Sequence, residues 1–160
     1  MPGRFSKKLD RGVNILSTTD RDGVISYVNS DFVAASEFDR SELIGEHHNV
    51  VRHPDMPSLA FKMFWEALQH HQPWKGIIKN RCKGGDHYWV DAYVTPIIIN
   101  DEMVAAQSVR VPPDVEDVKR AEAVYQRINS GRTPSFLKRP RRSLIQKIRA
   151  LTCISLAVAT

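Results

Sequence analysis

His48-Asn49-Val50-Val51-Arg52-His53-Pro54-Asp55-Met56-Pro57 is the stretch around which the chain is organised. Ten residues hold two histidines, an arginine, an aspartate and an asparagine, between a turn signal at Gly45 and an apolar run that starts at Leu59. Pro54 and Pro57 push the residues before them out of helical geometry, so the stretch reads as a constrained, bent connection. Arg52, always charged and fork-shaped, has imidazoles at 48 and 53 beside it, a set suited to phosphate or another anion. The same residues have a plainer use, in which Asp55 caps the next helix, Arg52 pairs with it and the histidines face water. Composition alone favours that plainer use.

Outward from this loop the pattern alternates between strands and helices. Residues 13–19 and 24–29 are β-rich runs joined by Asp20-Arg21-Asp22-Gly23, whose Asp-Gly end signals an antiparallel hairpin. Residues 31–36 and 41–44 read as short helices that need something to pack on. Residues 58–71 form a true helix with Ala60, Phe61, Phe64 and Leu68 along one side. In 74–83, Trp74, Gly76, Ile78, Asn80 and Cys82 share one face and Lys75, Ile77, Lys79 and Arg81 the other, so the Trp74 face looks inward. Gly84-Gly85 turns into a long strand over 87–99, and Asn100-Asp101-Glu102 turns into a last strand over 103–111. On that strand Met103, Ala105, Gln107, Val109 and Val111 read as the inward set, with Arg110 opposite. The order predicts an α+β domain, a five-stranded antiparallel sheet with short helices grouped on one side.

Pro112-Pro113 ends that domain. Asp114 with Asp117 starts a further helix in the manner of a capping pair, and Val115, Val118, Ala121, Tyr125 and Ile128 recur at spacings of three and four until Gly131. The 160 residues thus divide into a flexible lead-in (1–12), a sheet-and-helix domain (13–112), a connector helix (113–131), a basic juxtamembrane linker (132–149) and the truncated start of a membrane segment (150–160). The net charge of +5 belongs to the tail. Seven Lys and Arg and no acidic residue follow from Arg132 onward, leaving 16 basic against 18 acidic residues before it. The first twelve residues lack the apolar core of a secretory signal, and Cys82 and Cys153, far apart, read as free thiols in a reducing compartment.

Five motifs allow a closer match: Ser17-Thr18-Thr19-Asp20; Asn29-x-x-Phe32; Gly45-x-x-His48-Asn49-x-Val51-Arg52-His53-Pro54-Asp55-Met56-Pro57; Pro73-Trp74-x-Gly76-Ile77-x-Lys79-Asn80-Arg81; and Gly85-Asp86-His87-Tyr88-Trp89-Val90. Together they resemble the PAS sensory domain of the bacterial aerotaxis receptor family, from about Ser17 to Arg110. The resemblance implies a PAS fold that binds FAD without a covalent bond and reports redox state for aerotaxis (energy taxis). It also implies a receptor in the bacterial inner membrane with its sensor on the cytoplasmic side, relaying to a chemotaxis signalling domain and its kinase complex. The apolar stripe of the connector helix needs a partner, which predicts a homodimer. Flavin contacts are implied for His48, Arg52, His53, Asp55 and Trp74, with Asn49 in the same motif. Strand alternation adds two carboxamides, Asn80 and Gln107, able to rotate and switch between accepting and donating at the flavin N5. Gln107 is the better placed of the two if its strand faces as read above.

Rival readings exist. A haem-binding PAS gas sensor could use His48 or His53 as an axial ligand, but a histidine beside Arg52 and Asp55 suits an anionic ligand better. A PAS dimerisation module without cofactor has no need of the polar loop. Light sensing through a flavin thiol adduct needs a cysteine on the central helical stretch, where there is none. Nucleic acid is not expected as a partner, because an apolar run follows the basic one and a positive flank beside a membrane explains it. No phosphate loop, nucleophile elbow or metal-ligand spacing points to an enzyme.

Overall fold

The computed structural model describes residues 5–132. The rest of the basic run and the expected start of a membrane segment lie outside the described residues. Among those described, no helix is long and apolar enough to cross a membrane.

The Asp-Gly signal makes the predicted hairpin between β1 (Ile15–Asp20) and β2 (Ile25–Val28). Asp20 Oδ1 accepts from the N–H groups of Asp22 and Val24, both at 2.9 Å, and Gly23 takes a φ of +83°, which glycine adopts without strain. Asn29 then joins strand to helix. Its Oδ1 accepts from Leu16 N at 3.0 Å and from Phe32 N at 3.1 Å, and its Nδ2 donates to Asn14 O, so one side chain caps α1 (Ser30–Ser36) and pins it to β1. The one-turn α2 (Arg40–Leu43) begins one residue earlier than expected because Asp39 is its cap, its N–H donating to Glu42 Oε2 at 2.9 Å.

A 3₁₀ turn over His48–Val51 opens the central loop. After it come α3 (Ser58–Gln69), β3 (Trp74–Arg81), β4 (His87–Ile99), β5 (Glu102–Val111) and α4 (Val115–Asn129). The five strands form one antiparallel sheet in the order β2-β1-β5-β4-β3. Helices α1 and α2 cover the β1–β2 side of the inner face, where Ile15, Phe32, Leu43, Tyr88 and Val90 make the main core. Helix α3 covers the other side through Leu68, Val94 and Ala106.

Three expectations are corrected. The last strand faces the other way: Ala106, Ser108 and Arg110 are buried on the inner side, and Gln107 is exposed on the outer side. The apolar residues Val109 and Val111 suggested inward placement. However, the outer face of this central strand is itself apolar beside Leu16 and Tyr93, while the inner face is small and polar where it borders a cavity. A bulge between Ile97 and Ile98 shifts the alternation, so Met103 packs inward with Val94 and Ala106. Secondly, the described part of the lead-in is tied down. Lys7 N–H donates to His87 O at 2.7 Å, His87 N–H to Phe5 O at 3.1 Å, and Lys7 Nζ bonds Ala34 O and Glu37. Thirdly, α4 lies on the outer face of the sheet, with Tyr125 stacked on Trp89 at 6.4 Å and its hydroxyl donating to Ile77 O.

Deleting residues 1–9 should therefore lower the urea midpoint by the equivalent of about 1–3 kcal/mol, the net worth of two backbone hydrogen bonds, with an unchanged denaturant slope. An unaltered midpoint in equilibrium unfolding would show the tether to be unimportant.

Candidate functional site

The inner face of the sheet does not close completely on α3. Between them lies a cavity with about 650 Å³ of space, counting the solvent at its mouth. Its floor is the sheet, through Ser17, Thr19, Ile78, Asn80, Ser108 and Arg110, and its apolar wall is Phe61, Phe64 and Trp65 of α3. The central loop forms the rim with His48, Asn49 and Arg52. Two features keep the floor low: Ala106 and Ser108 are small, and Gly23 has no room for a side chain, since a Cβ there would come within 2.9 Å of His47 and 3.1 Å of Trp65.

Backbone bonds fix the rim. His48 N–H donates to Gly23 O and Ile25 N–H to Glu46 O, both at 2.9 Å, lacing the loop to the β1–β2 hairpin. At its other end Arg52 forms an isolated bridge with Asn80 on β3. Arg52 spreads its guanidinium over the Phe61 ring, 4.3 Å from the centroid, and donates through Nη2 to Met56 O at 3.0 Å.

The most telling group is Arg110. Only 4% exposed, it donates to Ser17 Oγ from both terminal nitrogens at 3.1 Å, approaches His48 Nε2 at 2.8 Å from Nη2, and lies over the Phe32 ring. Among the described residues it has no carboxylate partner. Burial pushes its pKa down to about 10, so it stays charged at neutral pH. Burial first, and the Arg110 charge second, push His48 down to about 3. A neutral His48 accepts the Arg110 proton at Nε2 and carries its own on Nδ1. Beside this pair Ser108 Oγ is buried without a hydrogen-bond partner.

Of the eight residues singled out in the sequence, His48, Asn49, Arg52 and Asn80 meet at the cavity. Trp74 sits one ring behind it, edge-on to Phe64 at 5.4 Å and flat over Gly76, where a Cβ would collide with the indole at 2.4 Å. His53 is buried away from the cavity, edge-on to His87 at 5.5 Å, its Nδ1 accepting from Asp55 N at 3.1 Å. Asp55 has crossed to the outer side, where its carboxylate takes the Lys79 ammonium at 2.7 Å. Gln107, outside the sheet, cannot reach the cavity. Sequence reasoning missed Ser17, Ser108 and Arg110. The run of small residues Ala105, Ala106 and Ser108 before a charged one was the available sign that the even-numbered face borders a space.

The PAS fold family matches residues 25–110. Together with the sheet order and the cavity between sheet and helical side, this places the chain in the PAS fold family. The chain is 42% identical over 119 residues to the aerotaxis receptor of Escherichia coli strain K12, a match that covers 74% of this chain and 24% of the receptor. It is 26% identical over 97 residues to the nitrogen fixation regulatory protein of Klebsiella pneumoniae, covering 61% of this chain and 20% of that protein. The chain thus spans a quarter or less of the length of these relatives. Among solved structures, a PAS domain from Colwellia psychrerythraea superposes with a TM-score of 0.59 at 22% identity, over 63% of this chain and 86% of that one. The LOV domain of the Erythrobacter litoralis EL346 blue-light activated histidine kinase gives 0.56 at 20% identity, over 61% and 93%.

The His48 environment sets a pH dependence. Its folded pKa lies below the usual 6.5, so between about pH 6.5 and 3 the unfolded chain binds the extra proton and stability falls as pH falls. His53, also lowered mainly by burial, acts in the same sense. Unfolding free energies measured at pH 7 and pH 5 should differ on the order of 2 kcal/mol from His48 alone. His48→Gln should remove that part of the slope, and an identical slope in the variant would contradict the buried neutral imidazole.

Proposed function

We propose that this domain is the FAD-binding redox sensor of an aerotaxis receptor, and the observation that carries the reading is the polar floor of an otherwise apolar cavity. A buried guanidinium without a carboxylate, an unpartnered serine hydroxyl and the Asn80 carboxamide all converge there. Such groups suit a ligand with a flat apolar body and an edge of carbonyl and N–H groups, the chemistry of an isoalloxazine ring. Phe61, Phe64 and Trp65, all only half-buried, provide a wall that can adjust to a flat ring. Arg52 at the rim suits an anionic group of the ligand. Similarity to a protein named for aerotaxis supports the same reading, as does a fold shared with light-oxygen-voltage domains studied with a flavin analogue.

When bound, the flavin accepts and returns electrons. The chain's own part is to hold it dry on one face, to orient its polar edge through Asn80, Ser108 and Arg110, and to present the Arg110 charge to whatever charge the ligand gains. With Gln107 on the outer face, Asn80 remains, of the two strand carboxamides, the one able to exchange donor for acceptor at the ring. Haem is disfavoured, since His48 Nε2 already receives the Arg110 proton. In the whole receptor we place the domain on the cytoplasmic side of the inner membrane, in a homodimer whose signalling domain engages a chemotaxis kinase complex.

An absorption spectrum of the purified chain tests the cofactor. Two flavin bands are expected, with a released cofactor that runs as FAD in chromatography, whereas a Soret band would overturn the assignment. Arg52→Ala and Ser108→Leu should each lower flavin occupancy at least about tenfold, the effect of losing one charge-assisted contact or filling the floor. Circular dichroism should remain that of a folded domain.

A further inference from the structure

The cavity and α4 lie on opposite faces of the sheet, yet one short turn touches both. Arg52 stands on the cavity side, bridged to Asn80. Within three residues the chain has passed around the edge of β3. There Lys79 N–H meets Met56 Sδ at 3.3 Å, the Asp55 carboxylate holds Lys79 Nζ at 2.7 Å, and the Asp55 carbonyl accepts Asn129 Nδ2 of α4 at 2.8 Å. Three bonds close the turn on itself: Met56 N–H to His53 O at 3.1 Å, Asp55 N–H to His53 Nδ1 at 3.1 Å, and Arg52 Nη2 to Met56 O at 3.0 Å, the last being the one made by a side chain that lines the cavity.

Helix α4 is well placed to respond. None of its residues is buried, and a cleft of about 690 Å³, counting its open mouth, separates it from Lys79 and Trp89. Beside a half-buried apolar stripe, its bonded attachments among the described residues are few: the Tyr125 stack and hydroxyl bond, and Asn129 on Asp55. Elements with little buried surface open at low free-energy cost.

We propose that the turn over residues 52–56 is a latch that reports charge in the inner cavity to α4. An added negative charge in the cavity draws the Arg52 guanidinium off Met56 O. The turn loses the one of its three bonds that the cavity can reach, Asp55 shifts from Asn129, and the end of α4 is released. The ligand acts through the difference between Arg52 bound to Met56 and Arg52 bound to the ligand, as any such shift requires. The identity of the charged ligand rests on the flavin reading above, but the mechanical link between Arg52 and Asn129 does not.

Hydrogen exchange on the full chain separates the two. Without cofactor, Arg52→Ala and Asn129→Ala should each speed exchange of the α4 amides about 2- to 10-fold, the range for one hydrogen bond. The double variant should be no faster than the faster single one. Unchanged β4 and β5 amides serve as the check on folding. Additive effects, or no effect of Arg52→Ala on α4, would overturn the latch. In cofactor-loaded protein, reduction by dithionite should raise α4 exchange in the wild type but not in Asn129→Ala, which leaves the cavity intact and decides the matter even if Arg52→Ala does not fold. A full redox response in Asn129→Ala would also overturn it. A chain without flavin bands counts against the cofactor reading, and the ligand-free cycle then decides the latch.

Discussion

A positive charge buried with no carboxylate partner among the described residues is the constraint to which most of the site answers. Isolated ions are costly to remove from water, and pairing with a carboxylate is the common remedy. Arg110 is instead held by the Ser17 hydroxyl, the lone pair of a neutral imidazole and the face of Phe32. These three contacts come from β1, the central loop and α1, so satisfying the guanidinium also fixes where those elements meet. They are weaker partners than a carboxylate, and Arg110 also lines the cavity. A domain built only for packing gains nothing from that arrangement, whereas one that holds a ligand with carbonyl groups does.

Much of the architecture was legible because local chemistry and tertiary position agree. The Asp20–Gly23 turn, the two prolines around Asp55 and the Gly84-Gly85 turn into β4 each point to one local structure, and each is found there. Asn80 and His48 were legible for the same reason, one by alternation from Trp74 and one by its place in the polar loop. The failure on β5 has a physical origin. Alternation tells which residues share a face, and hydrophobicity is then used to choose the inner one. That choice inverts where the outer face packs apolar side chains side by side and the inner face borders a ligand cavity. Gln107 and Arg110 exchanged places through that single inversion. His53 and Asp55 were misplaced for a different reason, since no local pattern tells on which side of a sheet edge a bent loop will put each residue.

The loop's course follows from its prolines. Pro54 and Pro57 prevent residues 52–57 from continuing the preceding 3₁₀ turn or joining α3 early, so the chain must bend while Arg52 is anchored by Asn80 and Ser58 starts a helix on the inner side. The excursion between those anchors carries Asp55 to the outer side and buries His53 against His87. One loop therefore serves two surfaces that the sheet otherwise keeps apart.

The position of α4 bears on how such a domain communicates. Its stripe of Val118, Ala121, Tyr125 and Ile128 needs a partner by its apolar spacing, and it is half-buried within the domain itself, with Tyr125 against β3 and β4. Val115, at the start of the stripe, is 69% exposed. The same side chains cannot cover the sheet and a partner helix at once, so docking on the sheet and pairing between copies exclude each other. The balance between the two is set by whatever fastens α4 to the sheet. Because that fastening is a stacked ring pair and two hydrogen bonds, with no α4 residue fully buried, the loss of any one contact weighs heavily on the balance.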